Sequence, residues 1–257
     1  MLFPIGDDDR KLSKPALVTW ALIAANVLLF AYQNANPSFT YGWSVVPAEI
    51  TSGVDLVGSE YVNAGGQRIE IPQTPGPTPI YLTLISSMFM HGGLMHIAGN
   101  LLYLWIFGDN VEHRFGGSRF LLFYLVSGLA GTFAQIYLDP ASVIPNLGAS
   151  GAISGVLGAY LVLFPRNRVN VVFFIKVIAL PAILVIGLWA VFQFINGYGA
   201  IAATEETAGG VAYGAHIGGF IAGVVMALAV RGSTKERESD ILARTAQRDP
   251  RSRRLWR

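Results

Sequence analysis

Ser150 lies in NLGASGAISG (residues 146–155), a patch crowded with glycine and alanine, and it is the first residue there that could do covalent chemistry. A serine hydroxyl becomes a useful nucleophile only when a neighbouring base takes its proton, and histidine is the usual base. His216, in YGAHIGGFIAG, is the candidate base. A second polar group stands in HGGLMHIAGN, where His96 and Asn100 are four residues apart and so share one helix face, with His91 just before them. Each feature also has a plain packing role. Small residues let helices approach, and a His/Asn pair can bond one helix to another. Ser154 is a weaker nucleophile, because inside a helix its hydroxyl can bond the carbonyl four residues back.

Other chemistries fit these residues poorly. HGGLMH lacks the glutamate of H-E-x-x-H, which argues against a zinc protease. Residues 148–152 read GASGA, without the last glycine of G-x-S-x-G and with no strand before them. No phosphate-binding or dinucleotide loop is present. The chain has no cysteine, which removes a thiolate nucleophile and thiolate metal sites. A proton-coupled transporter would want buried carboxylates, whereas Asp109 and Glu112 fall at the end of their apolar segment.

The elements that must carry these groups are greasy. Of the 257 residues 53% are hydrophobic and only 13% charged, about half the charged fraction of a soluble domain. About 20 apolar residues span a bilayer. Six segments qualify, roughly 15–32, 94–111, 119–138, 150–164, 170–195 and 211–230. In hydrocarbon each must be a helix, since an open backbone amide has no water to bond. The expected fold is therefore an all-α polytopic membrane protein, a bundle of six transmembrane helices. The first segment follows Arg10, Lys11 and Lys14 but is too long for a signal-peptide core, so it is expected to be retained. Apart from Arg68 and Lys176, every one of the 18 Lys and Arg residues falls on one side of this arrangement, which places both termini in the cytoplasm. Three parts are expected: a cytoplasmic segment 1–14, a six-helix domain 15–231 with a long outer loop over about 33–90, and a basic tail 232–257, read first as a solvated segment that fixes topology and second as an arginine cluster that could touch anionic lipid. The end of that loop, YLTLISSMF, is apolar but too short to span, and is expected to lie at the interface or re-enter.

The fourth segment is short. Fifteen residues rise roughly 22 Å, against about 30 Å of hydrocarbon. A helix starting at Ser150 would stop roughly 8 Å short of the outer surface, so the preceding PNLGA must dip inward, where only protein or a wet cavity tolerates such backbone. Ser150 would then stand at a helix N-terminus, where free N–H groups and the helix dipole favour an oxyanion. Gly151 and Gly155 form a G-x-x-x-G on this helix, and Gly214/Gly218 and Gly219/Gly223 form two more on the last. Packing through such faces would bring Ser150 and His216 together.

HGGLMHIAGN, FGDNVEHRFG, GASGAISG and AHIGGFIAG, in this order and on these spans, make the chain resemble the rhomboid family of intramembrane serine proteases over about residues 15–230. That resemblance implies a six-helix bundle with a Ser–His dyad and no aspartate. Ser150 would be the nucleophile and His216 the general base, with His96, Asn100 and the Ser150 N–H donating to the oxyanion. It implies no cofactor and no metal. The implied partners are transmembrane protein substrates and the lipid bilayer, not nucleic acid, and the implied location is a bacterial-type cell membrane. Cleavage near the outer end of a substrate span, at small residues beside helix-destabilising sequence, is also implied. So is a substrate gate at the fifth helix, for which Pro181 would supply a bend. Two features depart from the family. Some members stack an aromatic, one turn after the nucleophile, on the catalytic histidine, but here that position is Ser154. The first outer loop differs as well.

Overall fold

Long apolar runs form most of the helices, and a computed structural model describes residues 3–7, 15–64, 66–202 and 212–232 of the chain. The elements are β1 (Phe3–Asp7), α1 (Leu17–Ala35), α2 (Pro37–Trp43), α3 (Pro47–Ser52), β2 (Gly58–Ala64), β3 (Gln67–Gln73), and single turns from Ile80 to Phe89 that include α4 (Thr83–Ser86). Then come α5 (Leu94–Phe115), α6 (Gly117–Leu138), α7 (Ser150–Leu163), β4 (Arg168–Phe173), β5 (Lys176–Pro181), α8 (Ala182–Ala202) and α9 (Tyr213–Val230). The long loop between α1 and α5 thus contains two short helices and an antiparallel hairpin. Its apolar end forms the turns Ile80–Phe89, bent 75° from α5.

Among the described residues α1, α6 and α9 are long and apolar enough to cross a membrane, and the bent pair before and within α5 makes a fourth candidate. α7 and the stretch Ala182–Gly197 are shorter apolar helices. By length and composition the candidate spans number three or four.

The segment 170–195, expected as one span, is the main correction. Its first part is a β-hairpin, with β4 antiparallel to β5, and only from Ala182 does it become helix. Valine, isoleucine and phenylalanine suit a pleated, half-buried surface, and the fully buried Val169 and Val171 alternate along β4. Pro181 therefore ends a strand and bends no helix. The first amides of α8 find partners in the connection before β4: Ala182 N–H donates to Asn167 O at 2.8 Å and Ile183 N–H to Pro165 O at 3.1 Å. β1 pairs with β4 on the other side to complete a three-stranded sheet. Asp7 at the end of β1 accepts from Tyr160 Oη on α7 and, at 2.9 Å, from Asn110 Nδ2 on α5.

α7 is the centre of the bundle. Gly151 through Tyr160 are all buried, with α5, α6, α8 and α9 around them. Its contact with α9 is nearly backbone on backbone. A Cβ added to Gly219 would lie 2.0 Å from Gly151 O, and one on Gly223 would lie 2.0 Å from Gly155 O. Gly214 and Gly218 turn instead to α6, where added Cβ atoms would meet Gln135 Oε1 at 2.7 Å and Ala134 Cβ at 2.4 Å. The amino end of α1 has no side-chain cap of its own. Glu112 of α5 replaces one, accepting from Val18 N–H at 3.0 Å, Thr19 N–H at 2.7 Å and Thr19 Oγ1 at 2.8 Å. A carboxylate suits the positive end of a helix.

Candidate active site

The connection before α7 exchanges backbone hydrogen bonds with the loop between α1 and α5. Asn146 and Val45 exchange backbone bonds of 2.8 and 3.1 Å, and Gly148 N–H donates to Ser87 O at 2.9 Å. These pins deliver the chain to Ser150, the first residue of α7. Ala149, at the cap position, offers no side-chain acceptor to the first turn, so the amides there remain available to a ligand. Ser154 Oγ donates back to Ser150 O at 2.6 Å, the helix-internal bond expected of it.

A cavity of about 970 Å³ lies over this helix end and is lined by Ser150, His216, His96 and Asn100 together, with Trp189 of α8 and Tyr103 of α5. The four residues singled out in the sequence, distributed over three helices, therefore share one concave surface. Ser150 and His216 are half-buried, Asn100 is buried and His96 is exposed to the cavity. The neighbours of the first two are fixed: a Cβ on Gly151 would be 3.4 Å from Ala215 O. Among the described residues no hydrogen bond joins Ser150 Oγ to the His216 ring, and such bonds are often long before substrate arrives.

The rings of His96 and His216 are held by opposite chemistry. Gly92 N–H points at His96 Nδ1 at 3.3 Å. An amide can only donate, so a neutral His96 carries its proton on Nε2. Gly148, with φ 141°, makes room for that nitrogen: a Cβ there would lie 2.9 Å from His96 Nε2 and 3.5 Å from Ser150 Oγ. His216 Nδ1 instead meets Gln193 Oε1 at 2.8 Å. An oxygen acceptor there puts the proton on Nδ1 and leaves Nε2 with a lone pair. Trp189 and Tyr213 flank the His216 ring, with centroids 6.3 and 6.4 Å away.

Asn100 Nδ2 is buried and has no hydrogen-bond partner. Such a donor is costly to leave unpaired, and this one belongs to a residue lining the cavity. His91 is also buried with both ring nitrogens unpartnered, and it meets the His96 ring edge-on with centroids 5.1 Å apart. Gln33 of α1 holds its backbone, accepting from His91 N–H at 3.0 Å. A second cavity of about 30 Å³, lined by Ser87, Gln135, Asn146 and Ser150 among others, adjoins the serine; it has room for about one water. Among the described residues no group of three or more His, Cys, Asp or Glu could hold a metal ion. Gln193 is the residue that the sequence argument passed over. An amide inside an apolar segment is itself a signal, and it was masked by the length of the run around it.

Comparison with known proteins gives a consistent picture. Residues 79–233 match the model of the Rhomboid domain. The chain is 31% identical over 211 residues to rhomboid protease GluP of Bacillus subtilis, covering 80% of this chain and 38% of that protein. It is 33% identical over 148 residues to rhomboid protein 1, mitochondrial, of Saccharomyces cerevisiae, covering 56% of this chain and 40% of that one. Over 92 residues it is 35% identical to the presenilin-associated rhomboid-like protein, mitochondrial, of Bos taurus, covering 35% and 24% respectively. The alignments thus span at most about two fifths of the length of these relatives.

Proposed function

The chain belongs to the rhomboid family and is an integral membrane protein, and we propose that it is an intramembrane serine endopeptidase acting through Ser150 and His216. The observation that carries this reading is one cavity that gathers a serine at a helix N-terminus, two histidines and a buried amide donor without a partner. In this reading residues 15–231 form a six-helix protease domain, with α7 and α8 completing the count, and 232–257 form a basic tail. Both termini face the cytoplasm of a bacterial-type cell. The substrates are transmembrane segments of other proteins, and no cofactor takes part.

In this reading the reaction starts at Ser150. His216 Nε2 takes the Ser150 proton as Oγ attacks the peptide carbonyl. The oxyanion that forms is met by Asn100 Nδ2, by His96 Nε2–H and by the amide of Ser150. His216 then passes its proton to the leaving amine, and the acyl-enzyme remains on Ser150 Oγ. Water admitted through the cavity, one molecule of which fits beside Ser150, completes hydrolysis with His216 again as base. His216 must be neutral for the first step, so activity falls at acid pH.

A fluorophosphonate probe on the purified protein in detergent tests the reading directly. Labelling of the wild type, abolished in Ser150→Ala and in His216→Ala, is expected together with loss of cleavage of single-span substrates in liposomes. A folded wild type that neither labels nor cleaves would instead be a non-catalytic binder of membrane helices.

A further inference from the structure

A serine–histidine pair needs something to hold the imidazole. In water-exposed sites a carboxylate does this, but a charge at membrane depth is expensive. α7 supplies nothing: Ser154 stands where a stacking ring would be, and its hydroxyl is turned back to Ser150 O. The rings of Trp189 and Tyr213 lie more than 6 Å from His216 by centroid, too far for close stacking. Among the described residues the sole hydrogen bond of the His216 side chain runs from Nδ1–H to Oε1 of Gln193, half-buried on α8, at 2.8 Å.

The geometry points to Gln193 as the positioning residue of the base: its amide oxygen accepts the Nδ1–H of His216, fixes that tautomer, and aims the Nε2 lone pair at Ser150. This rests on the protease reading given above and deepens it. A neutral carboxamide performs the orienting part of a carboxylate's work without its desolvation cost. When the acceptor is lost the imidazole can turn, or move its proton to Nε2, where it blocks the lone pair the serine needs. The other described titratable side chains around the ring, His96, Tyr103 and Tyr213, make no hydrogen bond with it. Gln193 is not among the residues that line the cavity with Ser150 and Asn100, so its effect belongs in kcat.

Three substitutions and one spectrum test this. Gln193→Leu keeps the bulk and removes the acceptor; kcat should fall about tenfold, the worth of roughly one hydrogen bond, with KM within about twofold. Gln193→Glu has the same reach and offers an acceptor oxygen in either protonation state, so it should recover most of that loss. Gln193→Asn falls short by one methylene and should resemble Gln193→Leu. Independently of activity, ¹⁵N-histidine NMR is tractable because the chain has only four histidines. The resonance lost in a His216→Ala sample should report an Nδ1-protonated ring in the wild type and shift in Gln193→Leu. A Ser150-dependent enzyme whose kcat and His216 spectrum are both unchanged by Gln193→Leu would overturn the inference and leave the protease reading intact. A wild type that neither labels nor cleaves would overturn both. A Gln193→Glu protein that folds and shows wild-type melting yet stays as slow as Gln193→Leu would also overturn it, because an acceptor would then not suffice.

Discussion

α7 and α8 line the same cavity, yet they are held in opposite ways. α7 is buried along ten consecutive residues and meets α9 at glycines, so close that its carbonyl oxygens occupy the space a side chain would need. α8 rests on its neighbours through Ala182, Val185, Ile186 and the half-buried Trp189 and Gln193, while Ile183, Leu184, Leu188, Val191, Phe192 and Ile195 face outward. Backbone contact fixes position to a fraction of an ångström, because no rotamer can relax it. Side-chain contact on one stripe can be broken and remade. Ser150 and His216 therefore sit on the pair joined by backbone contact, and Gln193, proposed above to hold the His216 ring, sits on the helix held by side chains.

The strongest way to break this contrast is to force the rigid pair apart. In Gly223→Val the Cβ would start 2.0 Å from Gly155 O, a backbone atom that cannot step aside. Overpacking of this kind should cost roughly 3 kcal/mol or more, visible as a large drop in melting temperature in detergent and loss of fluorophosphonate labelling. A protein that melts and labels like wild type would show that the seam is looser than this geometry requires. Next in size is Asn100→Ala, on the face of α5 turned to the same cavity. If its unpartnered Nδ2 meets the oxyanion, the rate should fall roughly 10²–10³-fold while the melting temperature stays put, because no internal hydrogen bond is lost. An unchanged rate would take Asn100 out of the oxyanion site. The corresponding loss expected for Gln193→Leu on α8 is about tenfold, so the two variants rank the α5 and α8 walls by rate.

Gly148→Ala falls between them and probes the join. The added methyl starts 2.9 Å from His96 Nε2 and requires φ 141°, a region side chains rarely adopt. Strain of about 1–3 kcal/mol and a displaced His96 ring should lower both stability and rate. A rate loss without a stability loss would mean that the loop yields and only the ring moves.

Much of this was legible in the sequence because polar groups stand out against an apolar background. Ser150, His216, His96 and Asn100 were nameable for that reason, and the shortness of α7 put Ser150 at its first turn, where the structure has it. Gly151/Gly155 and Gly219/Gly223 were legible as a close approach, although composition could not say that Gly214 and Gly218 would face α6. What failed has a physical cause. In a chain this apolar, the contrast that separates a buried strand from a membrane helix is lost, so NVVFFIKVIALP read as the start of a span. Only pairing with β1 and with itself satisfies that backbone as sheet, and pairing with residues more than 150 positions away is not a local property. The same holds for Glu112 capping α1. Gln193 carried a local signal, but its role depends on His216 lying opposite it, and that is decided by how α8 meets α9.

The smallest expected effect is the most discriminating for the contrast between the helices. Gly187 lies in α8, two residues before Trp189, and an added Cβ there would meet nothing within 4 Å. Glycine costs a helix roughly 0.5–1 kcal/mol relative to alanine through backbone freedom. On α8 that penalty is not offset by any close approach, so Gly187→Ala should leave the melting temperature unchanged or raise it slightly. Its kinetic consequence follows from the same freedom. If α8 must flex near its base to admit a substrate, a stiffer helix slows entry, and kcat/KM for a transmembrane substrate should fall by a few-fold. The labelling rate with a small fluorophosphonate, which needs no such opening, should hold. Equal loss with both reagents would place the effect at the active site and against a moving α8; no loss with either would mean that α8 moves as a rigid rod about a point outside this glycine.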